Sequence, residues 1–151
     1  MSKRRTASCT LCLMLALATA AQALGASKHF RISYEHFNDY AAKAADLYFK
    51  TEAPNEKNIL SHMTAVCAIY AEKARGLVHM TDVAEHIVAK RDKIYVVKSL
   101  RDLKDVTLAT LPQDIKLLTE LVDGQENQSL FQLGTQVINE LRVFERNTEN
   151  L

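Results

Sequence analysis

The chain has 151 residues, with 19 Lys and Arg against 18 Asp and Glu, 48 % apolar side chains, four Gly, two Pro and three Cys. The near-zero net charge excludes the basic footprint of a nucleic-acid binder, the apolar content excludes disorder, and the scarcity of Gly and Pro speaks against a turn-rich β fold. A compact, mostly helical protein remains.

Lys3, Arg4 and Arg5 precede an apolar run from Cys9 to Ala21, and Ala21-Gln22-Ala23 supplies small residues in an A-x-A pattern. This reads as a cleavable secretory signal peptide over residues 1–23, leaving a helical domain over 24–151. The run is shorter than the roughly 20 residues needed to span hydrocarbon. Cys9 and Cys12 lie too early for a lipidation site, and the alanine-rich run points to bacterial export into the periplasm or beyond. Losing the three leader bases makes the balance mildly acidic, which gives the exported chain no electrostatic reason to seek nucleic acid or a membrane. Cys67 then stands alone, and it is expected to be buried or paired with another chain, as in a homodimer.

Along the domain, Phe30, Tyr34, Phe37, Ala41, Ala44 and Tyr48 recur at helical spacing and predict a first helix. Thr51 to Asn55 contains Pro54 and breaks it, with Asn55 expected as the next N-cap. Ile59, Met63, Val66 and Tyr70 form the stripe of a second helix, which Gly76 is expected to end. A third is expected from Thr81 and Asp82, with Glu85 in capping-box spacing and Val83, Ile87, Ile94 and Val97 inward. Its stripe then drifts to Val96, Leu100, Leu103 and Val106, which predicts a bend or a change of packing partner. Leu111 and Pro112 should end it, and Pro112 should open a fourth helix carrying Ile115, Leu118 and Val122 until Asp123 and Gly124. The last helix is expected near Ser129, with Gln132 completing a capping box and Leu130, Gly134, Val137, Leu141 and Phe144 inward. The sum is an all-α antiparallel bundle of four to five helices.

Signatures of hydrolase elbows, phosphate loops, dinucleotide folds, zincins and c-type haem attachment do not occur in the sequence, and no cofactor is expected. Two histidine pairs share a pattern: His29 and His36, and His79 and His86, each seven apart with a Glu before the second. Seven residues rise about 10.5 Å, so no pair can hold one metal ion through bonds of about 2 Å, and a site would have to join two helices. With turns near residues 53 and 78, His36 would share a level with His86 and His29 with His79. That arrangement would suit a metal-binding or pH-responsive bundle. Met63, Cys67 and His62 offer copper(I)-type donors, although core filling accounts for the first two. Between Lys90 and Asp105 bases outnumber acids, giving a solvated face or a patch for an acidic protein.

The expectation that follows is an exported, non-enzymatic bundle that binds another protein, as an inhibitor, adaptor or chaperone does. Val96, Leu100 and Leu103, on the drifting stripe, are the expected contact residues. The alternative from a different class is the histidine bundle.

Overall fold

The computed structural model describes the backbone of residues 3–151 and the side chains from Ser27 onward, except those of Lys90 and Arg91. The expected signal peptide, residues 1–23, lies outside the described side chains. The helices are α1 (Lys3–Lys50), α2 (Pro54–His86), α3 (Lys90–Val122) and α4 (Gln128–Glu149), and no strand occurs among the described residues. Each helix packs on its neighbours in chain order, α4 closes back on α1, and α2 touches α4 across the diagonal. Short connections at 51–53, 87–89 and 123–127 make successive helices antiparallel.

The apolar stripes explain the packing. Phe30, Phe37 and Ala44 of α1 are buried, as are Ile59, Met63, Val66 and Tyr70 of α2 and Leu130, Val137, Leu141 and Phe144 of α4. Phe144 sits at the centre, with its ring edge-on to Phe30 at 5.8 Å and to Phe37 at 5.6 Å between centroids. Tyr70 joins from α2 at 6.0 Å. Edge-to-face contacts of this kind add about 0.5–1.5 kcal/mol each beyond the area they bury, so three helices are tied at one point.

Four expected boundaries move. Gly76 does not end the second helix, because it lies inside α2 with ordinary helical backbone; among the described residues only Gly124, at φ 72°, takes the left-handed conformation, and it stops α3. A side chain on Gly76 would meet Leu103 Cδ2 at 3.3 Å, so the glycine lets α3 come close. Asp82 and Glu85 are accordingly interior residues of α2 and not a cap. Asp82 accepts from Ser27 Oγ at 2.5 Å and pairs with Arg31 at 3.5 Å, joining α2 to α1.

The real break, at Ile87–Ala89, explains the drifting stripe: Val83 and Ile87 belong to the end of α2 and its cap, and Ile94 and Val97 to a different helix. Within α3 the inward series runs Val96, Leu100, Leu103, Thr107, Leu111, Ile115, Leu118 and Val122 at spacings of three and four. Ile94 and Val97 therefore face out, and Val106 yields its inward place to Thr107.

Pro112 breaks nothing and lies inside α3. Its missing N–H and ring cost about 3 kcal/mol. Fully burying Leu111, Leu118 and Val122 yields about 1.5–3 kcal/mol apiece, which outweighs that cost. The residues flanking the proline are also held from α2. Tyr70 donates its hydroxyl to Asp114 Oδ2 at 2.6 Å, and Lys73 Nζ donates to Thr110 Oγ1 at 2.8 Å. The expected fourth and third helices are thus one.

The remaining caps shift slightly. Pro54 opens α2 after Ala53, whose N–H is accepted by Thr51 Oγ1 at 3.3 Å, so Asn55 lies within the helix. Asn127 caps α4 by accepting from the backbone N–H of Ser129 and Leu130. Its amide also donates to Glu56 Oε2 at 2.8 Å, fastening α4 to the start of α2.

Candidate functional site

Three places in the bundle gather polar or uncovered side chains. The first joins α1 to α4. Glu140 is a buried carboxylate on an otherwise apolar face of α4, and such a group needs donors. Ser33 Oγ donates to its Oε1 at 2.7 Å, and His36 Nδ1 donates to its Oε2 at 2.7 Å. The Tyr40 phenol, one turn on, is held protonated above its usual range by partial burial and then by the negative charge of Glu140. Serine, histidine and glutamate thus meet, but the carboxylate stands between the other two. In serine catalysis the imidazole must face the hydroxyl, so His36 is not placed to take the proton of Ser33. The geometry is that of a satisfied buried charge.

The second place is the Tyr70, Asp114, Thr110 and Lys73 set between α2 and α3. Burial, followed by donation to Asp114, pushes the Tyr70 phenol up, and partial burial pulls the Lys73 ammonium down. Lys73 lies 4.7 Å from the centre of the Tyr70 ring, a cation–π contact. These groups satisfy one another.

The histidines separate. His79 and His86 belong to α2, which is adjacent to α1. Because Ser27 meets Asp82, His36 lies nine residues to one side of that level and His86 four residues to the other, which is about 20 Å along the bundle. His29 and His79 do share a level. Yet His29 is two residues from both Ser27 and Arg31, the residues that face Asp82, and so points away from α2. His86 Nδ1 donates to the Asp82 carbonyl of its own helix at 2.7 Å. Among the described residues no three His, Cys, Asp or Glu side chains converge as metal ligands. Met63 and Cys67 are buried, and burial pushes the Cys67 thiol up to about 12 from its ordinary 9.0, well away from the thiolate that binds metal.

The third place is the beginning of α3. At 33 residues α3 exceeds α4, which has 22. Lys104 Nζ donates to the carbonyl of Glu149 at 2.7 Å, so α4 ends level with residue 104 and the first turns of α3 project beyond it. There Ile94 is 64 % exposed, Tyr95 62 % and Val97 43 %, while Val88 in the preceding connection is almost wholly exposed. Val96, Leu100 and Leu103 are half-buried, and the two leucines pack on the core as the inner edge of the same helix. Lys93, Ile94, Val97, Lys98 and Arg101 line a recess of about 460 Å³ on the outer side. The exposed pair Ile94 and Val97 was legible as apolar but assigned to the wrong face. The signal that could have placed it is the unbroken three-and-four spacing from Val96 to Val122.

No helix among the described residues is long and apolar enough to cross a membrane. No family model, no curated protein and no solved structure matches the chain.

Proposed function

We propose that this chain is an exported protein that works by non-catalytic binding of another protein, as an inhibitor, adaptor or chaperone does. The observation that carries the reading is the projecting start of α3, where Ile94 and Val97 are uncovered next to each other beyond the end of α4. Singly exposed apolar residues are ordinary, but adjacent ones on a helix face with no neighbour among the described residues mark a contact surface. Leu100 and Leu103 form its inner margin and pack on the core, with the half-buried Val96 one turn before Leu100. The polar clusters of Ser33, His36 and Glu140 and of Tyr70 and Asp114 fasten helices together, which accounts for them without a ligand.

Photo-cross-linking from single positions in the native host tests the reading. A photoreactive side chain at Val97 should yield a discrete protein adduct, and Ile94→Ser should suppress it. The same group at Ala68, an exposed position of α2, should give none. Equal adducts from both positions, or none from Val97, would contradict the proposal.

A further inference from the structure

Resting on that reading, we infer that the occupant of the projecting end of α3 is an acidic amphipathic helix of another protein, which continues the layer formed by α4. The first reason is continuity. Lys104 and Val122 mark the side of α3 that α4 covers, the one by its bond to Glu149 and the other by its contact with Gly134. They are 18 residues apart, five turns, and so share one line along the helix. Val97 lies seven residues before Lys104, within about 20° of that line. The face that carries α4 thus runs on past its end through Val97, with Ile94 about 80° round the helix at its outer edge, and nothing among the described residues packs on it.

The second reason is charge. Lys93, Lys98 and Arg101 surround the apolar floor of the recess, and none of them pairs with a carboxylate among the described residues. Elsewhere on the helix surfaces Lys43, Lys50, Arg75 and Lys116 each bond a carboxylate one turn away, whereas Lys98 and Arg101 form no ion pair with Asp102 and Asp105 at the same spacing. A partner that covers Ile94 and Val97 also strips water from the three cations, and it must return acidic groups to offset that cost.

Other occupants fit less well. A second copy laid on the same patch by a twofold axis would set these cations against each other. Nucleic acid supplies phosphates but no apolar group for Ile94 and Val97. A bilayer supplies both, but it offers no projecting side chain to fill a recess between lysines. An amphipathic helix with apolar residues at three- and four-residue spacing and Asp or Glu at its flanks meets every requirement.

The test uses the full chain and two synthetic 21-residue amphipathic peptides that share one leucine stripe, one flanked by Glu and the other by Lys. Anisotropy of the labelled peptides reads affinity, and amide NMR shifts read location. The Glu peptide should bind at least about tenfold more tightly than the Lys peptide, weaken as salt rises, and shift amides of residues 93–101. Exchanging charge by Lys98→Glu with Arg101→Glu should reverse the preference. Equal binding of the two peptides would overturn the inference. So would shifts confined to other helices, or binding of vesicles containing phosphatidylglycerol without binding of the Glu peptide. If the Val97 adduct forms while the Glu peptide fails to bind, the acidic helix alone is refuted. If neither occurs, the proposed function falls with it.

Discussion

At the scale of single residues the bundle interior treats ionisable groups in two ways. Glu140 gathers two hydrogen bonds on its carboxylate, whereas Cys67 is denied its charge by burial alone. The second case makes stability depend on pH. An unfolded Cys67 ionises above its ordinary 9.0, while the folded thiol keeps its proton to about 12. The contribution is complete below pH 9 and is lost as pH rises toward 12, at about 1.4 kcal/mol per pH unit. Urea unfolding of the wild type and of Cys67→Ala should therefore show a stability gap that is constant to pH 8.5 and narrows above pH 9. A gap unchanged at pH 10.5 would refute this. Tyr70, raised in the same direction, steepens the alkaline loss in both proteins and cancels from the comparison. That Cys67 would be buried or paired was legible because no other cysteine occurs after residue 23; its burial excludes a disulfide to another chain while the protein is folded.

Among the helices, local signals served where they agreed with the apolar stripes and misled where they did not. The stripes of α1, α2 and α4, the break at Pro54 and the stop at Gly124 are all plain in the sequence. Gly76, the Thr81–Asp82–Glu85 group and Pro112 each imitate a boundary. In each instance packing decides against the local signal: Leu103 against Gly76, Ser27 and Arg31 on Asp82, and three buried aliphatics around Pro112. Such contacts join residues far apart in the chain, so a window of neighbouring residues does not contain them.

Gly134 is the opposite case, where the sequence already suggests a close approach and α3 supplies it. A methyl on Gly134 would overlap both γ-methyls of the buried, rotationally stiff Val122. Gly134→Ala gains about 1 kcal/mol of helix propensity and loses about 1–3 kcal/mol to overpacking. A net destabilisation of about 1 kcal/mol is expected by urea titration. In a Val122→Ala background the same substitution should become stabilising, because the overlap is gone. Equal effects in the two backgrounds would show that the helices are not in contact there.

For the molecule as a whole, function is assigned to a difference in length. A closed ring of four equal antiparallel helices would leave no uncovered seam, but α4 is eleven residues shorter than α3. That the chain is a helical bundle was legible from its stripes. The uncovered end was only partly so, because it depends on where α3 begins, and the false boundaries at Gly76 and Thr81 hid that point. Once the break falls at Ile87–Ala89, Ile94 and Val97 are left outside, and Lys93, Lys98 and Arg101 form their rim.

Amide hydrogen exchange along α3 of the full chain tests this account most directly. Residues 104–122, covered by α4, should exchange slowly, as Ile59–Tyr70 do, and residues 90–101 should exchange faster, with the step near Lys104. Uniform slow exchange from Lys90 to Val122 would mean that the start of α3 is already covered, and would contradict the account.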